Sequence, residues 1–124
     1  MKKLIVLIFI LFFQNFHSQK ANLNWHTDLN KAVNISINEN KPIMLFFTGS
    51  DWCGWCMRLN KEVFNYPEFK TWANENLVLV ELDFPRRKQI DPKTLNQNRE
   101  LARMFAVAGY PIVWFVNPQK LDSN

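Results

Sequence analysis

The stretch Ile43-Met44-Leu45-Phe46-Phe47-Thr48-Gly49-Ser50-Asp51-Trp52-Cys53-Gly54-Trp55-Cys56 decides how this chain is read. Ile43 to Thr48 is an unbroken apolar run closed by a β-branched residue, the pattern of a buried strand. Gly49-Ser50-Asp51 breaks that strand, and Met57 to Phe64 is compatible with a helix, so both cysteines fall where a strand end passes into a helix start. Two thiols three residues apart in such a place are near enough for a disulfide. Unpaired N–H groups and the helix dipole favour a thiolate at Cys53 over its reference pKa of about 8.5. Thiolate is the attacking species, so Cys53 is the expected nucleophile. Cys56, one turn inside, is the expected resolving thiol, which attacks Cys53 and releases a bound substrate as a dithiol. Gly54 keeps the tip slim for an incoming chain.

Outward from this stretch the pattern alternates between helical and strand-like segments, which implies one α/β domain. Thr27 is placed to cap a helix carrying Leu29, Ala32, Val33 and Ile37, ended by Asn40-Lys41-Pro42. Pro67 opens a helical piece to Asn74, and Leu77 to Asp83 reads as a second buried strand. After a loop from Phe84 to Lys93, Asp91 and Pro92 look like an N-cap and first-turn proline, with Leu95, Asn98, Leu101, Ala102 and Phe105 along one face. Gly109 is expected to end that helix, and Ile112 to Val116 reads as a third strand before Asn117-Pro118. Trp25, Trp72 and Trp114 read as core, and His26 as a surface residue.

Trp52-Cys53-Gly54-Trp55-Cys56, the strand ending in Asp83, and Val107-Ala108-Gly109-Tyr110-Pro111 ahead of a third strand together resemble the thioredoxin family, in particular its exported bacterial members. The resemblance runs from about Leu23 to Lys120. It implies a thioredoxin-like three-layer α/β sandwich and a thiol-disulfide oxidoreductase that needs no cofactor or metal. Protein thiols or disulfides would be its substrates, and a membrane electron donor would recharge it on the reductant side. It also implies that Pro111 is cis and faces the cysteines, that Tyr110 lends its backbone to a substrate strand, and that Trp52, Gly54 and Trp55 border the binding surface.

The chain departs from the family pattern at three places. Trp55 replaces the usual proline between the cysteines, which leaves the redox poise open. Phe47 and Leu79 stand, by alignment, where thioredoxin has a buried carboxylate and a lysine. The final edge strand and helix of the family are lacking, so Ile112 to Val116 is expected to be an open edge prone to self-association. Competing readings are a non-catalytic thioredoxin-fold binding module, a merely structural disulfide, and copper(I) binding by Cys53, Cys56 and Met57. Met57 in place of histidine excludes haem attachment.

At the N-terminus Met1-Lys2-Lys3 precedes ten apolar residues, Leu4 to Phe13, and a polar stretch to Lys20. That layout reads as a secretory signal over residues 1–18, with the domain at 19–124 and a periplasmic or secreted location. Ten helical residues span about 15 Å, half a bilayer core, so an uncleaved membrane anchor is the weaker alternative. No cysteine is placed for a lipid anchor. The 124 residues are 48% hydrophobic, which suits one globular domain, and the formal charge is +4. Without Lys2 and Lys3 it is 13 basic against 11 acidic residues, a surplus too small to argue for nucleic acid. Two cysteines with only His17 and His26 to join them fall short of a zinc site. Arg86-Arg87-Lys88 reads as a solvated loop ahead of a dock for an acidic partner.

Overall fold

The computed structural model describes residues 21–120. The expected signal segment 1–18 and its boundary lie outside them. Strands β1 (Trp25–His26), β2 (Ile43–Thr48), β3 (Val78–Asp83) and β4 (Ile112–Val116) form one sheet in the order β1-β3-β2-β4. β3 runs parallel to both β1 and β2, and β4 runs antiparallel to β2. The helices are α1 (Leu29–Glu39), α2 (Gly54–Leu59), α3 (Pro67–Asn76) and α4 (Pro92–Met104). A π-helical turn, Asn60–Phe64, continues α2 directly.

The strand period of two sorts side chains into two layers. Ile43, Leu45 and Phe47 of β2 and Val78, Val80 and Leu82 of β3 pack with Ala32 of α1 and Leu101 of α4. Met44 and Phe46 of β2 and Leu79 of β3 point the other way, onto Cys53, Cys56, Phe64 and Ala73. All six residues of β2 are buried, as a central strand covered on both faces requires. The result is the three-layer α/β sandwich expected from the sequence.

The differences are local. Asp28, not Thr27, caps α1, accepting the Lys31 N–H at 3.2 Å, because its carboxylate reaches one residue further into the first turn. Ser36 takes the buried place on α1 and its hydroxyl bonds the Lys41 carbonyl, while Ile37 faces solvent. Helix α4 ends at Met104, before Gly109, and Ala106 adopts the left-handed conformation there with φ 49°. Gly109 has no positive φ. Trp72 and Trp114 are exposed at 48% and 44%, not core; each packs at a tilt against a neighbouring ring, Phe69 and Phe105 respectively. Two-residue β1 was not legible at all. It caps the far edge of the sheet beside β3, leaving β4 hydrogen-bonded on one side only among the described residues. Trp114 and Phe115 stand exposed on that open edge.

Candidate active site

Asp83 at the end of β3 organises the turn that presents the cysteines. Its carboxylate accepts the Ser50 N–H at 2.8 Å and the Ser50 hydroxyl, and Lys88 Nζ lies 3.5 Å away. Its carbonyl accepts Asn98 Nδ2 at 3.0 Å, which ties the same point to α4 and explains why Asn98 is buried. Asp51 accepts the main-chain N–H groups of Arg86 and Arg87 at 3.0 and 2.7 Å. Those bonds hold its carboxyl below the usual range, the Arg86 N–H foremost. Trp52 Nε1 donates to the Phe84 carbonyl at 2.7 Å. The loop after β2 and the loop after β3 are thus laced together, and the cysteines are held on a firm base.

Cys53 and Cys56 form a disulfide with Cα atoms 5.2 Å apart. Cys53 is the N-cap of α2, and its Sγ accepts the Cys56 N–H at 3.2 Å. The helix begins at Gly54, so the pair sits at a helix start as the sequence indicates, with Cys53 capping it and Cys56 in its first turn. A donor aimed at the Cys53 sulfur stabilises negative charge there, as does the N-terminal end of the helix. Cys56 is fully buried and Cys53 is 6% exposed, which fits attack by the first and resolution by the second. Gly54 has open space where a side chain would be, and Trp55 is 68% exposed at the tip.

Tyr110 closes the other side. Its ring meets Trp52 edge-on, with centroids 5.7 Å apart, and also leans on Phe84 at 5.3 Å. It packs on the cluster holding both cysteines, and burial raises its phenol pKa. The Tyr110–Pro111 peptide is cis, and Pro111 leads directly into β4. Trp52, Cys53, Cys56 and Tyr110 are therefore brought together, with Gly54 and Trp55 at the rim. Gly49, read from the sequence only as a strand breaker, also seats Trp52, since a methyl group there would overlap the Trp52 ring.

The buried positions behind the disulfide differ from the sequence alignment. Phe47 lies in the layer away from the cysteines, on the same face of β2 as Ile43 and Leu45, as the strand period of two requires. The β2 residue on the cysteine side is Phe46. Its β3 partner is Glu81, not Leu79. Glu81 shares the Leu79 face of β3, so this layer does contain a half-buried carboxyl group. Desolvation, then the neighbouring Asp83 charge, raises its pKa above the ordinary 4.5, and Lys88 partly opposes them. The folded state therefore holds this proton more tightly than the unfolded chain. Its stability should fall as pH rises from the ordinary value through the raised one. Glu81→Gln is expected to raise the urea midpoint at pH 7 and to leave it unchanged at pH 3, where both states are protonated. An unchanged midpoint at pH 7 would show that the carboxyl is not desolvated.

Residues 24–118 match a family model described as thioredoxin-like. The chain belongs to the thioredoxin-like family. It is 37% identical over 99 residues to the disulfide bond reductase DsbH of Chlamydia pneumoniae, covering 80% of this chain and 59% of that protein. It is 30% identical over 98 residues to the thioredoxin-related protein DsbJ of the same organism, covering 79% of this chain and 28% of DsbJ. The chain thus spans about three-fifths of the length of DsbH and less of DsbJ. A solved structure of the DsbH oxidoreductase superposes with a TM-score of 0.76 at 36% identity, over 85% of this chain and 73% of that one. A thioredoxin from Thermus thermophilus superposes at 0.56 with 20% identity, over 75% and 63% of the two chains, and speaks for the fold.

Proposed function

We propose that the chain is a thiol-disulfide reductase acting on protein disulfides through Cys53-Gly54-Trp55-Cys56. The observation that carries this reading is Cys53 as the N-cap of α2, its sulfur receiving the Cys56 N–H beside an open Gly54. In the reduced chain the Cys53 thiolate attacks one sulfur of a substrate disulfide. A Cys53–substrate disulfide forms and the other substrate sulfur leaves as a thiolate, which takes a proton from water. Cys56 then gives up its proton and attacks Cys53 Sγ. The second substrate thiol departs and the Cys53–Cys56 disulfide closes, two electrons having passed to the substrate. A substrate strand pairs with the backbone at Tyr110, between Trp52 and the tip at Trp55. Similarity to a protein described as a disulfide bond reductase supports the reductant direction. The test is insulin disulfide reduction with dithiothreitol as electron source. Turnover well above the dithiothreitol background supports the reading, and none refutes it.

The chain acts outside the cytosol after cleavage following Ser18 and is recharged by a membrane-bound dithiol donor. A cytosolic, uncleaved protein on fractionation and N-terminal sequencing would overturn that. Self-association through β4 belongs to the same proposal, because Ile112–Val116 is apolar and, among the described residues, open on one side. Sedimentation is expected to show a dimer that dissociates when Lys replaces the exposed Phe115 (Phe115→Lys). A monomer at every concentration would remove it.

A further inference from the structure

Trp52 forms one wall of the site, and its outer face is occupied. The guanidinium carbon of Arg86 lies 3.6 Å from the Trp52 ring centroid, a close cation–π stack. Trp52 is fixed by its bond to the Phe84 carbonyl, and the backbone of Arg86 is anchored by its main-chain N–H on Asp51. Stacking of this kind covers one face of a guanidinium and leaves its in-plane N–H groups free to fork onto a carboxylate. Nearby charges are otherwise committed. Arg58 pairs with Glu62 at 2.8 Å and Lys88 with Asp83 at 3.5 Å. The Asp51 charge is met by two main-chain N–H groups, and Glu81 is half-buried in the sheet. Among the described residues, the exposed side chains of Arg86 and Arg87 form no ion pair.

We propose that Arg86, assisted by Arg87, is a carboxylate-recognition point beside the cysteine pair, selecting disulfides flanked by acidic side chains. This rests on the reductase reading for its substrate and reverses the expectation that Arg86-Arg87-Lys88 is only a solvated loop. The geometry favours it because Arg86 stacks on Trp52, Trp52 adjoins Cys53, and Trp52 meets Tyr110 edge-on. A strand lying along Tyr110 passes this wall, and an acidic residue next to its cysteine comes within reach of the guanidinium. A held, stacked arginine also loses less side-chain freedom on binding than a free one.

Two measurements test it on the reduced chain. The first is the Cys53 alkylation rate with anionic iodoacetate relative to neutral iodoacetamide, referred to the same ratio for free cysteine. The ratio is expected to be raised about threefold to tenfold, and to fall to about one in Arg86→Gln/Arg87→Gln and at 1 M salt. The second is kcat/KM for peptide disulfides flanked by Glu, Gln or Lys, with Glu preferred over Lys by a similar factor that the double variant loses. A ratio equal to that of free cysteine, or one unchanged in the double variant, overturns the proposal. If the alkylation preference holds but no peptide is reduced, the carboxylate site stands and the reductase reading falls. Reduction without preference for Glu flanks keeps the reductase reading and refutes the role of Arg86 in selection.

Discussion

Cys53→Ser is expected to lower disulfide reduction by at least about three orders of magnitude, since a serine hydroxyl at neutral pH is neither ionised nor able to exchange with a disulfide. Cys56→Ser should fail differently. Cys53 can still attack, but nothing inside the chain can release the substrate, so mixed disulfides accumulate and run as higher bands on non-reducing gels. The asymmetry follows from position: Cys53 caps α2 and is slightly exposed, while Cys56 is sealed in the layer with Phe46 and Phe64. Equal trapping by both variants would mean that either thiol can attack, against this geometry.

The second large effect concerns stability. Asp83→Ala is expected to cost about 2–3 kcal/mol, because it leaves the Ser50 N–H and hydroxyl without their charged acceptor and strips Lys88 of its partner. Only 13% of the Asp83 side chain is exposed, so water replaces those bonds poorly. Asp83→Asn keeps one acceptor oxygen and should lose less. Urea unfolding of the oxidised chain measures both. A loss below about 0.5 kcal/mol for Asp83→Ala would show that the turn before Cys53 is held by other contacts.

Much of this was legible because the central strands are unambiguous. Residues 43–47 and 77–80 are apolar throughout, and an unbroken run next to a Gly-Ser-Asp break has few other readings. The cysteine pair was legible for the same reason, lying between a strand and a helix. What escaped was set by the third dimension. β1 is two residues long and exists only because β3 offers it an edge. Glu81 was passed over because counting back from Cys53 does not show which strand residues face the cysteines, and only strand pairing shows that Phe46 and Glu81 share a row. The stack of Arg86 on Trp52 joins residues 34 apart and leaves no local trace in the sequence. Ala106 took the left-handed turn that glycine was expected to make, because α4 ends at Met104, five residues before Gly109.

The reduction potential of the Cys53–Cys56 pair tests the central claim most directly. Equilibration against glutathione or dithiothreitol buffers, followed by trapping of free thiols, gives it in one titration. A reductase of this design should settle near about −270 mV, low enough to pass electrons to substrate disulfides. A value near about −120 mV would mark an oxidant and contradict the account.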